Sequence, residues 1–218
     1  MRRWNRWGVG AVLWAAAGLA GAGSIVDSMH NMSFFSFGGE ICNYCHTPHN
    51  AQAVANAPLW SHAPSTATYQ IYASPSLNAT VGQPGTISKL CLSCHDGTIG
   101  ISDFSPGGFS GGITFGPGDT GYIGTDLRND HPIGFTYNTA LASADGSLFD
   151  PSVKDVTIGS AGKVKTGKIA DVLLFGGQLE CASCHDVHNS YTADPAMYTG
   201  LLKITATGSK LCLACHDK

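Results

Sequence analysis

Every cysteine in this 218-residue chain belongs to one of four copies of a single pentapeptide. The copies are Cys42-Asn43-Tyr44-Cys45-His46, Cys91-Leu92-Ser93-Cys94-His95, Cys181-Ala182-Ser183-Cys184-His185 and Cys212-Leu213-Ala214-Cys215-His216. Whatever fold the chain adopts must build the same local arrangement of two thiols and an imidazole four times. Eight cysteines in an exported chain would ordinarily indicate four disulfides, but local bridging gives no reason for histidine at the fifth place each time. Zinc is the other rival, since four C-x-x-C pairs supply two four-thiolate sites. It leaves all nine histidines without a task.

C-x-x-C-H is the attachment signal for c-type haem: both thiols bond to the porphyrin vinyl groups and the adjoining histidine coordinates iron. Four copies therefore predict four haem c groups, bound through Cys42, Cys45, Cys91, Cys94, Cys181, Cys184, Cys212 and Cys215, with His46, His95, His185 and His216 on iron. Five histidines remain, His30, His49, His62, His131 and His188, for four open axial positions. Each iron can then carry two imidazoles, which suits electron transfer and leaves no vacant site for substrate chemistry. Met29, Met32 and Met197 are alternative thioether ligands that the count does not require, and packing against haem is their simpler role.

The motifs repeat in the order A, B, A, B. His46-Thr47-Pro48-His49-Asn50 is echoed by His185-Asp186-Val187-His188-Asn189, and Lys89-Leu90-Cys91 by Lys210-Leu211-Cys212. In the H-x-x-H element the first histidine is tied to its own haem, so the second should ligate a neighbouring one. Three residues span at most about 11 Å, so two irons tethered this way must lie close together. His49 and His188 are accordingly expected as distal metal ligands, together with His30 and His131, the latter held extended by the proline that follows it. His62 is the fifth candidate: a hydrogen-bonding residue, a substitute ligand, or a ligand given to another subunit's haem.

The chain opens with three arginines, runs through a mostly apolar stretch from Trp7 to Leu19 and reaches Ala20-Gly21-Ala22, the order of a secretory signal. Cleavage after Ala22 gives a signal peptide at 1–22 and a tetrahaem domain at 23–218, made of two loose two-haem repeats at about 23–130 and 131–218. No other segment is apolar for long enough to anchor the chain in a membrane. Loss of Arg2, Arg3 and Arg6 leaves nine basic residues against fifteen acids, and the absence of a basic stripe argues against nucleic acid as a partner.

Between the motifs, residues 51–88 mix Ala, Ser, Thr and Pro and residues 97–124 are dense in glycine, so loops should dominate. The expected fold class is mostly irregular, with short helical turns at the motifs and a few short strands, organised around four stacked haems. Lys168 to Phe175, ahead of Gly176-Gly177, reads as a strand entering a turn. If each haem covers on the order of 400 Å² of apolar surface, that contributes roughly 10 kcal/mol, so folding should depend on haem.

These residues resemble the multihaem cytochromes with the doubled C-x-x-C-H motif. The stretches that carry the resemblance are Ile41-Cys42 through Asn50, Pro58-Leu59-Trp60, Leu90-Cys91 through Gly97, Asp130-His131-Pro132-Ile133 and Glu180-Cys181 through His188. Within that group the chain is most similar to extracellular tetrahaem cytochromes that polymerise into conductive filaments. The resemblance implies a continuous stack of bis-histidine haems, other copies of the chain as partners, and an axial histidine donated by a neighbouring subunit, for which His30 or His62 are the candidates. The expected function is electron transfer rather than catalysis, outside the cell or at its surface, handing electrons to redox proteins or external acceptors. A periplasmic shuttle and, less favoured, a multihaem reductase are the alternatives.

Overall fold

The computed structural model describes residues 24–35, 40–103, 112–160, 163–191 and 200–218. The expected signal peptide at 1–22 lies outside them. Short elements separated by long irregular segments make up the chain, as composition suggested. Strands β1 (Gln52–Val54) and β2 (Ala57–Trp60) form a hairpin, followed after a long loop by α1 (Thr86–His95). Then come β3 (Phe135–Thr136), α2 (Thr139–Asp145), β4 (Asp155–Ser160), β5 (Lys163–Lys168), α3 (Ile169–Val172), β6 (Gln178–Leu179), α4 (Cys181–Cys184) and α5 (Lys210–Leu213). The sheets are three antiparallel pairs: β1 with β2, β3 with β6, and β4 with β5. No described helix is long and apolar enough to cross a membrane.

The second motif lies within α1, the third and fourth begin on α4 and α5 and run past their ends, and the first forms a single turn closed by the His46 amide donating to Cys42 O at 2.8 Å. A helical turn draws two cysteines three apart to one side of the backbone, which is the local requirement of the motif. Two sequence expectations need correction. The loop-rich stretch after residue 50 contains the β1–β2 hairpin, turned through Asn56 at a φ of 62°. Lys168 to Phe175 is not a strand: β5 ends at Lys168 and α3 begins at Ile169. Ile169, Val172 and Leu173 are spaced for one helical face and all three are buried, so core burial favours the helical period over alternation. The turn that follows is present, with Gly176 and Gly177 both at positive φ.

Apolar packing is unevenly distributed. The main cluster joins Phe135, Tyr137, Val156, Ile158, Ile169, Leu173, Leu179 and Ile204, all from the second half of the chain. The first half has two small clusters, Met32 with Tyr44 and Ile101, and Tyr69 with Leu92 and Leu127. Truncating Ile169, which is fully buried, to alanine should cost about 2–5 kcal/mol, read as a lower denaturant midpoint for unfolding.

Candidate functional site

The A motifs are built the same way in both repeats, down to individual main-chain bonds. The Thr47 amide donates to Leu59 O and the Ser61 amide to Cys45 O; correspondingly, the Asp186 amide donates to Leu201 O and the Lys203 amide to Cys184 O. These bonds bring a downstream segment alongside each Cys-His pair. His46 Nδ1 thereby lies 2.7 Å from Pro58 O, and His185 Nδ1 2.5 Å from Gly200 O. Leu59 and Leu201, each next after the acceptor residue, both take positive φ, at 57° and 55°. Non-glycine residues rarely adopt that conformation, and its use at equivalent positions marks a shared constraint. Asn50 and Asn189, which close the H-x-x-H-N echo, share it too, at 55° and 58°.

His95, at the end of α1, solves the same problem with a different partner: its Nδ1 is 2.6 Å from Gly121 O. Gly121 has a φ of 92°, and a Cβ there would stand 3.2 Å from the imidazole, so the carbonyl reaches the ring because the residue has no side chain. His131 Nδ1 approaches Pro132 O at 2.9 Å. A carbonyl can only accept, so each of these Nδ1 atoms carries the proton and Nε2 is left with its lone pair outward, the tautomer of a metal-ligating histidine.

The rings approach one another in pairs. The ring centres of His46 and His188 are 6.1 Å apart, those of His30 and His95 6.0 Å, and those of His131 and His216 6.4 Å. Two imidazoles on opposite sides of one metal have ring centres roughly 6 Å apart, given metal–nitrogen bonds of about 2 Å and about 1 Å more to each ring centre. The three pairs therefore have the separation of axial ligand sets. Each combines a motif histidine with a histidine predicted as distal from sequence. His188 faces the motif histidine of the other repeat and not its own, as the H-x-x-H argument required. No ring contact joins His49 to His185 among the described residues, and both are exposed.

Burial and charge agree with this use. His30 lies largely out of water with Nδ1 buried and without a hydrogen-bonding partner. Burial first, then the fields of His95, His185 and His188, brings its pKa down to about 4, so the ring is neutral at physiological pH and its lone pair is available. None of the eight cysteines is in a disulfide. Burial pushes the thiols of Cys45 up to about 11 and of Cys94 and Cys215 up to about 12.

His62 does not fit a ligand role. It is 1% exposed, with Nδ1 3.0 Å from Ala63 O and Nε2 2.8 Å from Gly100 O, so its one N–H donates to a main-chain carbonyl and both ring nitrogens face main-chain oxygens. Its imidazole braces the start of the glycine-rich segment beside Cys94, whose sulfur is 3.6 Å from Nε2. The sequence did not reveal the main-chain acceptors at Pro58, Gly121 and Gly200, because a carbonyl has no residue signature; the paired bulky steps Pro58-Leu59-Trp60 and Gly200-Leu201-Leu202 were the available clue.

The family model of the doubled CXXCH motif matches residues 175–218, which include the motifs at Cys181 and Cys212. Those are haem c attachment motifs. That segment thus has a feature of multihaem c-type cytochromes, and electron transfer is the broad task that such motifs suggest. No curated protein matches the chain. Replacing His30 with alanine should remove one imidazole from an iron and produce a high-spin signal in the oxidised spectrum; His62→Gln should leave that spectrum low-spin.

Proposed function

We propose that the chain binds four haem c groups, each iron held between two imidazoles, and conducts electrons along them. The observation that carries this reading is the set of three imidazole pairs at 6.0–6.4 Å, each joining a motif histidine to a distal one. The pairs are His46 with His188, His95 with His30, and His216 with His131. For the fourth haem, the repeat relation that sends His188 to His46 sends His49 to His185. Two imidazoles per iron favour one-electron exchange between ferric and ferrous states without a ligand change.

Continuity along the chain is supported by the way neighbouring sites influence one another. The thiol of Cys45 raises the pKa of Cys94, α1 and α4 meet where the Cys181 amide donates to Ser88 Oγ at 3.0 Å, and the Cys184 thiol raises the pKa of Cys215. A series from the first motif to the fourth follows from those adjacencies. His30 feels ligands of three different sites, His95, His185 and His188. Haems held so closely hand electrons on without a diffusing carrier.

The setting we propose is export under the N-terminal signal and assembly with other copies into an extracellular filament, delivering respiratory electrons to redox proteins or an external acceptor. This extension is supported by the resemblance alone. His30 is not the donor to a neighbouring subunit in this reading, because it faces His95 of its own chain. Intact-mass measurement of the native protein should show four haem masses above the polypeptide cleaved after Ala22, and the bare polypeptide mass would overturn the whole reading. Negative-stain microscopy of secreted material should show filaments; discrete particles alone would leave the haem assignment standing and remove the assembly.

A further inference from the structure

Among the described residues only three side chains of the His, Asp, Glu, Lys and Arg types are buried: His62, Asp96 and Glu180. His62 is occupied by two carbonyls. Glu180 serves the capping box of α4 and accepts from the Ser88 hydroxyl of α1. Asp96, directly after His95 and 3% exposed, has more donors than any local turn requires. Thr98 supplies its amide and hydroxyl, both at 2.7 Å, to one carboxylate oxygen, an arrangement that an exposed Asp can make equally well. The other oxygen accepts from Ser65 Oγ at 2.5 Å and from Tyr69 OH at 2.6 Å, groups brought in from a distant loop. Four donors on two oxygens leave no position for a carboxyl proton, so the group is an anion.

An anion beside an iron site favours the ferric form, which carries one more positive charge than the ferrous. Its effect depends on whether water screens it. The repeat supplies an internal comparison, because Lys89-Leu90-Cys91 through Asp96 matches Lys210-Leu211-Cys212 through Asp217. Asp217 is exposed, where water and salt screen its charge. We infer that Asp96 is a fixed negative charge that holds the His95–His30 haem at a lower reduction potential than the His216–His131 haem. This rests on the proposed haem binding. It gives two haems with the same ligands different tasks: the first-repeat site accepts electrons only from a strong reductant, and the second-repeat site draws them onward.

The test is a spectroscopically monitored redox titration of the haem-loaded protein, with haem content checked by mass. Asp96→Asn should move one step to higher potential while the low-spin spectrum and the remaining steps stay as in the wild type. His30→Met, which exchanges an imidazole for a potential-raising thioether, should move that same step. Asp217→Asn should move none. A wild-type titration from Asp96→Asn, or a uniform shift of all steps, would overturn the inference while leaving the haem assignment intact. If Asp96→Asn fails to load haem, the steps identified by His30→Met and His131→Met decide from the wild-type order: the His30 step lying lower supports the inference, and equal or reversed order overturns it. A wild-type mass without haem overturns both.

Discussion

The second nitrogen of a metal-ligating imidazole is usually held by a hydrogen bond, and for three of the motif histidines here a main-chain carbonyl supplies it. His46, His95 and His185 each direct Nδ1 to a carbonyl lying 12 to 26 residues further along the chain. Much of the irregular backbone is explained by that need. The β1–β2 hairpin presents Pro58 to His46, a glycine at positive φ presents Gly121 to His95, and the segment through Leu201 presents Gly200 to His185. Leucines at positive φ cost of order 1–3 kcal/mol each, and they persist where bonds on both sides of them fix the approach. Loops that look featureless in sequence therefore have a defined geometry wherever a motif histidine needs an acceptor.

The two halves are stabilised differently. Residues after 131 have an apolar core of their own, with the β4–β5 hairpin and α3 packed around Ile158 and Ile169. Earlier residues bury more polar side chains, among them Ser61, His62, Ser65, Ser88, Ser93 and Asp96, and their apolar clusters hold three residues each. The first half thus has little apolar core of its own. In the second half, apolar burial by the polypeptide itself supplies a substantial part of the driving force.

The chemistry was more legible in the sequence than the fold. Four pentapeptides and a count of histidines led to His30, His131 and His188, each of which the structure places opposite a motif histidine. The H-x-x-H spacing led to the expectation that His49 and His188 each serve a neighbouring site; the ring of His188 lies by His46, and no ring contact joins His49 to His185 among the described residues. His62 could not be assigned from sequence, because a ligand and a buried hydrogen-bonding histidine look alike until both ring nitrogens are located. The strand expected after Lys168 failed because a short apolar run fits either period, and burial of Ile169, Val172 and Leu173 on one side selects the helix. Asp96 and Asp217 end identical patterns in the sequence, and only tertiary packing makes one an enclosed charge and the other a solvated one.

The ring of His188 over His46 has a consequence for how such a chain opens. A ring of the second repeat facing a motif ring of the first means that this pair exists only while the two repeats are docked, so local opening between them would separate the two imidazoles before either motif turn unravels.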